Sequence, residues 1–111
     1  MTYETQNYTL AKYQDDALHF RLPTASPLYA VLNLAGETGE LHSLLAKGIR
    51  DGRKDDFNLN VKKELGDILW CLAAVAADHG YSLEEVAMSN IMKLSIRKAQ
   101  GTLTGSGDNR E

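Results

Sequence analysis

Punctuation constrains this chain more than any other feature. Its two prolines, Pro23 and Pro27, both fall in the short stretch PTASP, and none follows. Ser26 before Pro27 combines a hydroxyl cap with proline at the first helical position, which is a helix start. A helix is expected from Pro27 to Arg50, with Leu34, Leu41 and Leu45 as its apolar stripe and Val31, Leu44 and Gly48 at the margins. The polar link DGRKDDFNLN is short, so the next helix should return antiparallel. It starts near Asn58 or Asn60, carries Val61, Leu65, Ile68, Leu69, Leu72 and Ala76 as its stripe, and stops at His79-Gly80. Ser82 with Glu85 three residues on forms a capping box. It opens a last helix whose apolar face is Leu83, Ala87, Ile91 and Leu94. Upstream, Leu10, Tyr13, Ala17 and Phe20 recur at helical spacing and mark a shorter helix over 9–21. No segment alternates with the period of a strand.

These elements imply an all-α fold, a four-helix bundle spanning residues 1–100. Residues 101–111, GTLTGSGDNRE, lack periodicity and read as a flexible Gly-rich tail. A chain of 111 residues makes only a thin core, so the bundle core is expected to be completed by dimerisation. The formal charge of −3 argues against a general nucleic-acid binder but leaves room for a nucleotide substrate. The single cysteine, Cys71, permits no internal disulfide and suits a reducing compartment. There is neither a membrane-length apolar run nor a signal-peptide pattern at the start. A cytoplasmic location is expected.

Two acidic pairs interrupt the apolar helices: Glu37-x-x-Glu40 and Glu64-x-x-Asp67. Residues three apart share a helix face. Measured from its own stripe, Glu37 lies roughly 60° and Glu40 roughly 120° off; Glu64 and Asp67 lie roughly 80° and 140° off in the same sense. In an antiparallel pair, equal offsets of the same sense emerge on the same side, so both pairs should face one groove. Converging carboxylates repel and push each other's pKa up. A hard divalent cation relieves that repulsion: Mg²⁺ takes oxygen ligands and shares them with substrate phosphates, and Mn²⁺ fits the same set. With no His or Cys in the cluster, zinc is disfavoured. The plain alternative is two pairs of solvated helix acids.

Other residues offer supporting chemistry. Asn90, Lys93 and Arg97 form one polar stripe beside the last helix's apolar face and suit phosphate oxygens, unless they are simply a solvated face. Lys47, Arg50, Arg53 and Lys54 near the hairpin link could meet phosphates or merely complement a helix dipole. Gly36, Gly39 and Gly66 flank the acids, which implies close approach of another helix or of a ligand. Trp70, Ala73 and Ala77 give the third helix a second apolar side, read as a dimer face with nucleobase stacking as the alternative. His19, His42 and His79 show no ligand spacing, and Cys71 reads as packing.

GETGELHSLLAKG, KKELGDILW and SNIMKLSIRKAQG together resemble the MazG-like group of all-α NTP pyrophosphatases, marked by ExxE followed on the next helix by ExxD. The resemblance covers about residues 13–110, including GSGDNR near the end. It implies hydrolysis of the α–β bond of a nucleoside triphosphate to the monophosphate and pyrophosphate, in nucleotide-pool house-cleaning. It also implies homodimers or pairs of dimers. Carried over, Glu37, Glu40, Glu64 and Asp67 are Mg²⁺ ligands, and Glu37 or Glu40 positions or deprotonates the attacking water. Lys93 and Arg97 contact phosphates, Asn90 lies near sugar or phosphate, and Lys47 is a further phosphate candidate. Two other readings stay open: a related enzyme acting on phosphoribosyl-ATP, and a non-catalytic helical adaptor.

Overall fold

The computed structural model describes residues 7–101; the expected tail lies outside them except for Gly101. Four helices and no strand occur among the described residues: α1 Leu10–Leu18, α2 Pro27–Asp51, α3 Phe57–Asp78 and α4 Leu83–Gln100. The end signals act as their chemistry requires. Ser26 Oγ accepts from Tyr29 N with Pro27 at the first position, and Thr9 does the same for α1 through Lys12 N. The Ser82–Glu85 capping box is complete in both directions. Gly80 and Gly101 take the left-handed conformation that ends α3 and α4, at φ 81° and 70°. α1 stops three residues earlier than its apolar spacing implies, and α3 begins at Phe57 because that ring is buried at the hairpin end.

Helix α2 packs on α3 alone among the helices, as the antiparallel hairpin requires. α1 lies across α3, and α4 touches only α1 and α3; no Cα of α4 comes within 8 Å of α2. A buried glutamine fastens the junction. Gln14 Nε2 donates to Ala73 O (3.0 Å) and Tyr81 O (3.3 Å), and its Oε1 accepts from Leu83 N (3.0 Å). Arg21 and Asp78 add a two-pronged ion pair between the α1–α2 link and the end of α3, at 2.8 and 2.9 Å.

This packing bears on two expectations about α3. The Trp70–Ala73–Ala77 side needs no second copy to pack against: α1 of the same chain lies on it, with Trp70 Nε1 donating to Ala17 O (2.9 Å) and Gln14 Nε2 donating to Ala73 O. The side that meets α2 is not the leucine stripe but the one carrying Glu64, Asp67 and Cys71, which fall within about 60° of one another round the axis. The stripe is split: Ala76 is buried and Leu69 packs against it, whereas Leu65 and Leu72 are uncovered, at 52% and 42% exposed. Alanines explain the exchange. Ala73 and Ala74 are fully buried, because small side chains let α1 and α2 approach closely where leucines would hold them off. The dry core is correspondingly small, and Cys71 is its largest fully buried side chain.

Candidate metal centre

The acids lie in the seam of the α2–α3 hairpin. On α2, buried Ala30 and partly buried Glu37, Leu41, Leu44 and Gly48 share the side turned to α3. Glu37 therefore projects into the seam rather than off its flank. Opposite it stand Glu64 and Asp67. One carboxylate oxygen from each of the three lies within 4.8 Å of the others, with Glu37 and Glu64 partly buried and Asp67 exposed. Burial raises the Glu37 carboxyl above its ordinary pKa, and the charges of Asp67, Glu64 and Glu40 add to the rise. Glu40, one turn along α2, is exposed and near enough to act on Glu37, but stands outside the three-oxygen set. An all-oxygen donor set of this charge fits a hard divalent cation and not a thiophilic one.

Three further residues frame the acids, and sequence reasoning missed them in this role. Cys71 lies beneath the cluster, its Sγ accepting from Asn33 Nδ2 at 3.4 Å. Burial, then the Glu37 charge, pushes its thiol up, so it is no thiolate nucleophile. Tyr13 reaches over from α1: burial first and the Asp67 charge second raise its hydroxyl pKa. Only the helix register and the α1 crossing bring these side chains to one place. Asn33 is recoverable in hindsight, lying one turn before Glu37.

Of the expected phosphate contacts, Lys47, Asn90 and Lys93 line two other cavities. Lys47 lines a cavity at the hairpin end with Arg53, Lys54 and Asn60, where the Arg53 guanidinium lies 4.6 Å from the Phe57 ring centre. Asn90 and Lys93 line an open hollow with Tyr81 and Glu85. Arg97 is buried, at 6% exposure. The glycines also depart from expectation. A Cβ at Gly36, Gly39 or Gly66 would meet nothing within 4 Å, so no neighbouring helix of this chain calls for them.

Four helices with carboxylates converging from both arms of one hairpin define an all-α protein with an acidic cluster that could hold a metal ion. Residues 25–102 match the model of the MazG nucleotide pyrophosphohydrolase domain, and the chain belongs to that family. It is 36% identical over 89 residues to the gene 37 protein of Mycobacterium phage L5, an alignment covering 74% of this chain and 75% of the phage protein. No solved structure matches the chain. No helix of the described residues is long and apolar enough to cross a membrane.

Proposed function

We propose that the protein is a Mg²⁺-dependent nucleoside triphosphate pyrophosphohydrolase that splits the α–β bond of (d)NTPs, yielding (d)NMP and pyrophosphate, in cytoplasmic nucleotide-pool house-cleaning. The observation that carries this reading is the approach of the Glu37, Glu64 and Asp67 carboxylates to within 4.8 Å, in a chain of the MazG family. These three residues hold the cation, with Mn²⁺ as the alternative. A divalent cation held there would supply charge to neutralise the triphosphate and polarise the α-phosphorus. Glu40, exposed beside the cluster, orients the attacking water and takes its proton as the water oxygen bonds to the α-phosphorus and the bond to the β-phosphate oxygen breaks. The protonated, buried Cys71 offers no covalent route, so catalysis rests on positioning and charge stabilisation.

A homodimer, or a pair of dimers, belongs to the same reading. Leu65 and Leu72 on α3 and Ile91, Met92 and Ile96 on α4 are exposed in the single chain, and a second copy would cover them. A dimer that lays α4 of one copy along α2 of the other, which α4 does not touch in its own chain, would bring Asn90 and Lys93 to substrate phosphates.

The test is a pyrophosphate-release screen over canonical and damaged (d)NTPs and phosphoribosyl-ATP, with Mg²⁺ or with chelator. Glu40→Gln should lose about 10²–10⁴-fold in rate while its circular dichroism is unchanged. Full activity in that variant, or turnover of phosphoribosyl-ATP alone, would refute the proposal. An absence of carboxylate-dependent Mg²⁺ binding in calorimetry would favour an adaptor.

A further inference from the structure

A further cavity lies outside the centre just described. It opens where the α1–α2 link passes over the hairpin, and its walls are Phe20, Leu22, Thr24, Ala25, Tyr29 and Trp70. Three of the six are aromatic and none is charged. Phe20 is 66% and Tyr29 50% exposed, so these rings contribute little to the core. The walls are nonetheless held in place. Trp70 spends its indole N–H on Ala17 O, so what it offers the cavity is apolar ring surface. The link is braced by Arg21 Nε donating to Ala25 O (2.9 Å), while the same guanidinium is pinned to Asp78.

Its position relative to the acids is fixed by the helices. Trp70 is three residues from Asp67, about 4.5 Å along α3, and Tyr29 is eight residues from Glu37, about 12 Å along α2. Turning from the seam-facing Glu37, Glu40 lies about 60° and Tyr29 about 80° round α2; turning in the same sense from Glu64, Asp67 lies about 60° and Trp70 about 120° round α3. Offsets of one sense on antiparallel helices emerge on one side, so cavity and acids open on the same flank of the hairpin. The cavity volume of about 240 Å³ lies below the ~300–1,000 Å³ of pockets that enclose a drug-sized ligand. It suits one flat ring system and not a whole nucleotide.

We propose that this aromatic cavity holds the nucleobase of the substrate whose phosphates lie at Glu37, Glu64 and Asp67. The inference rests on the pyrophosphohydrolase reading for the identity of the ligand and on the cavity's own geometry for its place. Stacking on ring faces supplies affinity with little demand on base identity, because every base presents a π-face. The hydroxyls of Thr24 and Tyr29 are the groups in the walls able to hydrogen-bond a base edge, so discrimination among bases falls to them.

Trp70 is the only tryptophan of the chain and serves as a built-in reporter. Its emission is followed while α,β-methylene nucleoside triphosphates, free nucleosides and inorganic tripolyphosphate are titrated in with Mg²⁺. Nucleotides and nucleosides should quench it and tripolyphosphate should not. Phe20→Ala and Tyr29→Ala should each weaken the quench and raise KM about 5- to 150-fold with kcat unchanged, the effect of removing one stacking ring from a uniformly used binding site. Pyrophosphate release that proceeds without any nucleotide-induced quench, or with wild-type KM in both variants, overturns the inference, as does quenching by tripolyphosphate alone. Quenching by nucleosides in a protein that hydrolyses no nucleotide leaves the cavity assigned and overturns the pyrophosphohydrolase reading instead.

Discussion

Replacing Glu37 by glutamine should make the metal-free protein more stable and the metal-loaded protein less so. Glu37 shares the seam with Glu64 and Asp67, with oxygens no more than 4.8 Å apart. Two unit charges at that separation repel by about 0.9 kcal/mol at the dielectric constant of water. Because Asp67 is exposed, this screened value is the appropriate one, and relief of two such pairs is worth about 2 kcal/mol. The pH dependence has a definite sign. Burial and its acidic neighbours hold the Glu37 pKa above that of the unfolded chain, so its contribution is most favourable at low pH and declines as pH rises through the folded value. Glu37→Gln removes that decline. Thermal melts in chelator at neutral pH should therefore place the variant about 8 °C or more above wild type, at about 4–8 °C per kcal/mol for a small domain. Titrated with Mg²⁺, wild type gains about 2.7 kcal/mol at a hundred times its dissociation constant, whereas the variant, short of one ligand, gains far less. A variant that melts below wild type in chelator and still responds fully to Mg²⁺ would refute the seam placement of Glu37.

Three further outcomes follow from the packing. Gln14→Leu strands the Leu83 N–H and Tyr81 C=O at the α1–α3–α4 junction and should cost about 2–3 kcal/mol in urea denaturation; a loss under 0.5 kcal/mol would show the junction to be wet. Asp78 is held below its ordinary pKa by hydrogen bonding to Arg21, so its stabilisation is present above the unfolded carboxylate range and lost as pH falls through the folded value. Asp78→Asn should flatten that acid limb of the stability profile and cost about 1 kcal/mol at neutral pH. Leu65→Glu combined with Leu72→Glu on the uncovered side of α3 should yield folded monomers in sedimentation velocity; an unchanged oligomer would place the interface elsewhere.

Much of this architecture is legible in the sequence because it depends on local chemistry. Ser26-Pro27, Ser82 with Glu85, and Gly80 each act through neighbours a few residues away, and each sits where its chemistry places it. The acids could be paired from spacing alone, although their placement on a flank was wrong for Glu37 and Glu64. Which side of α3 meets which neighbour was not legible. Periodicity marks apolar sides but does not assign partners, and it weights Leu65 and Leu72 above Ala73 and Ala74. Packing favours the alanines, because two helices can close on them. Tyr13, Asn33 and Cys71 were missed as companions of the acids for a related reason: their proximity arises from the crossing of α1 and the register of α2 on α3.

The seam of the hairpin carries its acids between two packed ends. At one end the buried Phe57 ring, stacked by Arg53, rests over Gly48, where a Cβ would lie 3.4 Å from it; at the other, Ala30, Cys71 and Ala74 are fully buried. The hairpin thus behaves as a caliper, its jaws at Glu37 and Glu64 and its stop screw eleven residues away at Gly48. A side chain added at Gly48 that displaces the Phe57 ring should therefore change the spacing of the Glu37 and Glu64 carboxylates from that distance, with neither acid altered.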